Sequence, residues 1–271
     1  MEPLNTFDQN HHDVFMEQGY VRLGKVLSPD GLAELQQRID DIMMGRVQYP
    51  HMRLQVFEEN GKVRRTQGND VATLAYRRID DLEQDPLFLA YIQHPLFHQI
   101  ARRYIGEEVS VFRSMFMNKP PAVSQPLVWH QDVGAGWGID HNPIVTVWTA
   151  LDDATTETGC MQIVPGSNRH GVINERHVLP SQDQDRYAPA EAVIDLEAEA
   201  GETILLHNFL LHRSGTNSTD GPRRAFSVTY MDAEVRTLDT RQTFSKVFGV
   251  GALNRVTVGD KPAELIERFY G

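Results

Sequence analysis

A single cysteine, Cys160, stands in a chain of 271 residues. No intrachain disulfide can form, and zinc or iron–sulfur sites built on cysteine are excluded. Cys160 itself reads as a small buried residue. Long apolar runs are also missing, so no segment reads as a helix that crosses a membrane. The opening Met-Glu-Pro-Leu-Asn has neither the basic nor the apolar stretch of a secretory leader. Basic charge is scarce: 26 Lys and Arg face 37 Asp and Glu, for a formal net charge of −11. The short basic cluster Lys62-Val63-Arg64-Arg65 does not overturn that balance. Nucleic acid and anionic membrane surfaces are therefore poor partners. Internal repeats and low-complexity tracts are absent as well. A cytoplasmic protein acting on a small molecule is expected, and nothing in the chain separates a monomer from a homodimer.

The length allows a sizeable core. Residues 7–19 read as a short helix ending at Gly19, followed by apolar–polar alternation at 20–23. Ser28-Pro29 supplies an N-cap and a first helical residue. Leu32, Leu35, Ile39 and Ile42 continue at helical spacing to about Met44. From Met52 to Arg65 the pattern suits a hairpin turned at Asn60-Gly61. Residues 86–105 hold two short helical patterns split near His94-Pro95. Composition then shifts. From Glu108, β-branched and aromatic residues alternate with polar ones at 109–117, 126–132, 144–151, 160–164, 192–196, 202–207 and 224–230. Many short strands with turn signals between them indicate a sandwich or barrel. The tail at 261–269 returns to a helical pattern. The expected layout is one domain over 1–271. Residues 1–107 form a mainly helical part with a hairpin, 108–235 a β core, and 236–271 a C-terminal extension. The 45–80 region and the loop 133–143 fall outside the core pattern and are lid candidates.

The chemistry concentrates in Trp129-His130-Gln131-Asp132, which ends a strand and opens a glycine-rich loop. In an extended strand, residues i and i+2 share a face. His130 and Asp132 can then offer one imidazole nitrogen and one carboxylate oxygen to the same ion. A third donor is sought in Leu205-Leu206-His207-Asn208-Phe209-Leu210-Leu211-His212. His212 opens a polar turn and is the better placed; His207 is the rival. Two histidines and a carboxylate occupy one face of an octahedral metal and leave the opposite face open, which suits non-haem Fe(II) chemistry. Arg223 and Arg224 follow at the start of a strand. Neighbours in a strand face opposite ways, so only one points inward, where its planar fork matches a carboxylate. His11, His12, His51, His94, His98, His141, His170 and His177 read as solvated or capping. Arg53, Arg64, Arg65 and Arg113 are candidates for holding an anionic small molecule.

Taken in order, these segments resemble the phytanoyl-CoA dioxygenase-like family of Fe(II)/2-oxoglutarate oxygenases. The resemblance runs from about Phe15 to Asp232. It includes Gly19-Tyr20-Val21, Asn118-Lys119-Pro120-Pro121, Trp129-His130-Gln131-Asp132 and Trp148-Thr149-Ala150-Leu151-Asp152-Asp153. It continues through Gly159-Cys160-Met161, Pro165-Gly166-Ser167, His212-Arg213-Ser214 and Arg223. It implies a mostly β fold with flanking helices, built on a double-stranded β-helix (jelly-roll, cupin-like) core. It implies iron held by His130, Asp132 and His212, with Arg223 on the distal carboxylate of 2-oxoglutarate. Lys119, Gln131, Trp148 and Ser214 would line the cosubstrate pocket. The implied activity uses O2 to hydroxylate a C–H bond of a small molecule, releasing succinate and CO2. Asp132 argues against halogenation, since halogenase relatives carry a small residue there. The alternatives are a non-catalytic metal-binding cupin-like protein, a zinc hydrolase or isomerase on the same triad, and an acyl-CoA hydroxylase.

Overall fold

The computed structural model describes residues 4, 6–58, 61–121, 125–133 and 135–254. The helical pattern expected at 261–269 and the turn residue Asn60 lie outside these. Helix α1 (Gln9–Gln18) starts at a reciprocal cap between Asp8 and His11 and stops at Gly19, whose φ of 80° ends it in the left-handed region. Strand β1 (Tyr20–Gly24) follows. Ser28 accepts from the Gly31 amide and Pro29 opens α2 (Pro29–Met43), which buries Leu35, Ile39, Ile42 and Met43. Helices α3 (Pro86–Ile92) and α4 (Pro95–Tyr104) each begin at a proline, with Asp85 and His94 as caps.

The 45–80 region is not an appendage. It supplies β2 (Arg53–Phe57), β3 (Val63–Gln67) and β4 (Tyr76–Ile79), which extend the main sheet. Then come β5 (Val109–Lys119), β6 (Leu127–His130), β7 (Val145–Ala150), β8 (Met161–Ile163) and β9 (Ile194–Leu196). The last strands are β10 (Thr203–His207), β11 (His212–Ser214), β12 (Arg223–Asp232) and β13 (Lys246–Phe248). Among the described residues, one sheet has nine strands in the order β1-β10-β7-β12-β5-β4-β2-β3, with β13 also on β5. A second has four, in the order β6-β11-β8-β9. The pairings are antiparallel.

Alternation along β12 divides the interior. Phe226, Val228 and Tyr230 face the helices and pack with Phe88, Tyr91 and Phe97. Burying each such ring contributes about 2–3 kcal/mol. Ala225 turns the other way, into a second core where Trp148, Ile204 and Leu206 meet Met161, Ile163, Leu196 and Cys160. The helices thus cover one face of the large sheet, and the small sheet closes over the other. Two facing antiparallel sheets make the jelly roll, and polar residues are found on its inner surface.

Candidate active site

Strands β6 and β11 pair with His130 directly opposite His212. The ring centroids are 4.1 Å apart. His130 Nδ1 lies 2.7 Å from the Val128 carbonyl, and His212 Nδ1 lies 3.0 Å from the Leu210 carbonyl. A carbonyl only accepts, so each Nδ1 carries a hydrogen, and in the neutral imidazole Nε2 is then the lone-pair nitrogen. Those lone-pair nitrogens flank one carboxylate: His130 Nε2 is 3.8 Å from Asp132 Oδ1, and His212 Nε2 is 3.8 Å from Asp132 Oδ2. This is too long for a hydrogen bond. It falls within the roughly 4.2 Å that two metal–ligand bonds of about 2.1 Å can span. Burial, and secondarily the His212 ring, push His130 down to about 3, so it is a neutral donor at physiological pH. Burial alone would raise Asp132, but His212, His130, His177 and Arg113 outweigh it and hold the carboxyl below its usual range.

The extended-strand spacing is not what sets Asp132. β6 ends at His130. Asp132 lies beyond it, clamped by Asn208: its amide donates to the Asn208 carbonyl at 2.9 Å, and Asn208 Nδ2 donates to the Asp132 carbonyl at 3.1 Å. Thr146 Oγ1 donates to Asn208 Oδ1 at 3.0 Å and fixes the clamp to β7. Nothing in sequence spacing singled out Asn208.

His177, grouped above with the solvated histidines, also arrives here. It has a left-handed backbone, φ 74°. Its neighbour Val178 bridges to His130, and its ring centroid sits 4.7 Å from that of His130. One nitrogen of His177 lies with donor atoms of His130 and Asp132 inside 4.8 Å of one another, so it competes geometrically with His212. The loop reversal that delivers it follows no motif. The other rival, His207, is excluded by position: its Nδ1 accepts from the Phe209 amide at 3.0 Å, and its ring packs on Phe15 and Phe209.

A cavity of about 230 Å³ opens onto these groups and is also lined by Arg223, Lys119, Trp148 and Ser214. Arg223 and Lys119 face each other across β12 and β5. Arg223 Nη2 donates to the Gly159 carbonyl at 3.0 Å, while its buried Nε and the buried Ser214 hydroxyl have no partner among the described residues. Burial pushes Arg223 down to about 10. Burial, then Arg223 and Arg77, push Lys119 down to about 7; its Nζ donates to the Gln125 carbonyl at 2.9 Å. Arg224 points the other way, with Nε and Nη2 on Asp152, both 2.8 Å, and Nη1 on Asp40 at 2.7 Å. Gln131, expected in the cosubstrate pocket, does not reach it. The pleat turns it away from His130, and loop backbone consumes its amide: Nε2 donates to Gly171 and Phe209 carbonyls, and Oε1 accepts from the Ile173 amide.

A jelly roll with histidines and a carboxylate gathered on its inner surface belongs to the cupin-type scaffolds. Within that class, the chain belongs to the phytanoyl-CoA dioxygenase (PhyH) family, whose model matches residues 15–225. It is 23% identical over 283 residues to the peroxisomal phytanoyl-CoA dioxygenase of Rattus norvegicus, covering 98% of this chain and 78% of the relative. In structure it is similar to SnoK, a non-heme alpha-ketoglutarate-dependent carbocyclase from nogalamycin biosynthesis: TM-score 0.66, 22% identity, 88% of this chain and 89% of that one. It is also similar to EctD from S. alaskensis with 2-oxoglutarate and 5-hydroxyectoine: TM-score 0.67, 17% identity, 94% and 84% covered. Among the described residues, no helix is long and apolar enough to cross a membrane.

Proposed function

We propose that the protein is an Fe(II)- and 2-oxoglutarate-dependent dioxygenase that hydroxylates a C–H bond of a small molecule. His130, Asp132 and His212 hold the iron. Arg223 takes the distal carboxylate of 2-oxoglutarate, with Lys119, Ser214 and Trp148 around it. When bound, iron with 2-oxoglutarate and O2 supplies oxidative decarboxylation to succinate and CO2 coupled to substrate oxidation.

The observation that carries this proposal is a single cavity holding two complementary halves. One half is a pair of histidines, each with Nδ1 on a backbone carbonyl and Nε2 turned to one ionised carboxylate. The other is a buried guanidinium whose Nε is unpartnered, beside an unpartnered serine hydroxyl. The first half suits a divalent ion. The second suits a carboxylate, since a buried cation without a counter-charge is costly until an anion joins it. His212 is preferred to His177 as third donor because it is held in strand register with His130 and its tautomer is set by a backbone carbonyl.

Each protein group then has a defined task. The Val128 and Leu210 carbonyls orient the imidazoles. Asn208 holds the backbone under Asp132. Arg223 and Lys119 neutralise the far end of the cosubstrate and fix its register, and the facing sheets keep bulk water out. The cavity is smaller than the roughly 300–1,000 Å³ typical of drug-sized ligands. This supports a small substrate over an acyl-CoA, whose relatives nonetheless share the family.

The test is anaerobic mixing with Fe(II) and 2-oxoglutarate. A visible charge-transfer band is expected, and Asp132→Ala should remove it together with oxygen-dependent succinate formation. A metal complex without that band, or full turnover in the variant, would overturn the proposal. A zinc hydrolase would bind metal and show neither the band nor any need for oxygen.

A further inference from the structure

The cavity carries more positive charge than the cosubstrate needs. Six cationic side chains line it, Arg77, Arg78, Arg113, Lys119, Arg213 and Arg223, against one carboxylate, Asp132. The whole chain has the opposite balance, with eleven more acidic than basic residues. Most of these cations have other partners. Arg78 is paired with Asp80 at 2.5 Å. Arg213 lies over the Trp129 ring and donates to Gln162 at 2.7 Å. Arg77 donates to Gln55 and lies toward Lys119.

Arg113 is different. It has no carboxylate at ion-pair distance among the described residues, and its guanidinium lies beside the stacked pair Phe112 and Trp137, 4.7 Å and 4.4 Å from the ring centroids. A cation–π contact pairs its charge with no counter-ion. Burial pushes its pKa down to about 10. The expected grip on an anion by Arg53 and Arg64 does not materialise, because these are tied to Asp81 and Asp70.

Position separates Arg113 from the cosubstrate. Residues 113, 115, 117 and 119 share one face of β5, and Arg113, Met115, Met117 and Lys119 all line the cavity. Six residues of strand span about 20 Å. A five-carbon diacid whose far carboxylate sits on Arg223 and Lys119 leaves Arg113 at the opposite end of this strand face. Met115 and Met117 make the floor between them apolar. We infer that the substrate is itself an anion, with a carboxylate or phosphate monoester docked on Arg113 beside Arg78 and an apolar stem laid over Met115 toward the metal. This rests on the oxygenase assignment above and adds the substrate class.

The experiment uses wild-type protein and Arg113→Met, each loaded anaerobically with Fe(II) and 2-oxoglutarate. Both are titrated with short- and medium-chain carboxylic acids and phosphate monoesters, and with the matching methyl esters and alcohols. Binding is read from the shift of the charge-transfer band. Acids or phosphates should bind at least about tenfold more tightly than their neutral partners, and the stronger arm identifies the group. Arg113→Met should erase that preference while 2-oxoglutarate affinity stays within about twofold. Three results overturn the inference: a panel with no acid or phosphate favoured over its neutral partner, a preference that survives the substitution, or a loss of 2-oxoglutarate affinity as large as the loss for the acids. The metal-free melting temperature is a second readout. Removing an unpaired desolvated charge should leave it unchanged or raise it. A fall of several degrees would assign Arg113 to holding the Trp137 loop and also overturn the inference. If wild type forms no band, the oxygenase assignment fails separately, and the acid-to-ester comparison is then read from ligand-induced melting shifts.

Discussion

Arg223 and Arg224 are neighbours that point opposite ways, one into the cavity and one onto Asp40 and Asp152, and the pleat alone separates them. Arg223→Ala should raise the 2-oxoglutarate requirement at least about tenfold with little loss of fold. Arg224→Ala should leave that requirement nearly unchanged but cost about 1–3 kcal/mol in unfolding experiments, less than a fully buried pair because Asp40 and Asp152 stay partly wet. Lys119 adds a pH signature. With its pKa near 7 it is charged below that pH, and a bound carboxylate meets a ready-made ammonium. Above pH 7 binding must also take up a proton, so 2-oxoglutarate affinity falls as pH rises. Titrations from pH 6 to about 9 should show this slope in wild type and lose it in Lys119→Met. The gathering of His130, Asp132 and His212 was legible in sequence because few residue types can serve as metal donors and their order along the chain is distinctive. His177 and Asn208 were not, since a loop reversal and a side-chain clamp place them and neither leaves a periodic trace. Gln131 was expected in the pocket from the family resemblance alone, while its pleat position sends it into loop backbone.

At the scale of elements, boundaries marked by covalent chemistry were the readable ones. Ser28-Pro29 and His94-Pro95 begin helices where the cap and the missing proline N–H require. The long strands β5 and β12 show alternation over ten residues or more. β11 and β13 are three residues each, too short for any period, and the four residues of β4 place two arginines between buried ends. These were read as turn, tail and lid. Yet β11 carries His212 and β4 carries Arg77 and Arg78, so the least legible strands bring some of the chemistry. The loop ahead of β8 offers a test of how an element supports a distant side chain. Gly159 has φ 77°, and a Cβ there would lie 2.7 Å from the Thr216 carbonyl and 2.8 Å from that of Gly215. Gly159→Ala should therefore cost about 1–3 kcal/mol. Because the Gly159 carbonyl receives Arg223, 2-oxoglutarate binding should weaken as well, measurable by calorimetry beside a thermal melt.

Across the whole molecule, the two sheets are unequal. The large one is backed by helices and a continuous apolar core, whereas the small one consists of strands of three or four residues. Amide hydrogen exchange should be slowest in β5, β7 and β12 and faster in β6, β8 and β11. Metal plus 2-oxoglutarate should slow the second group selectively; uniform slowing would deny that ligands join the sheets. Cys160 lies in the core between the sheets, next after Gly159, its thiol pushed up to about 11 by burial with Asp195 and Glu197 adding to it. Almost no thiolate exists at neutral pH, so the native chain should ignore iodoacetamide. A lone sulfur so shielded becomes a molecular clock: alkylation proceeds only through openings of the interior. The pace of that clock, with and without cosubstrate, reports how firmly the barrel stays shut.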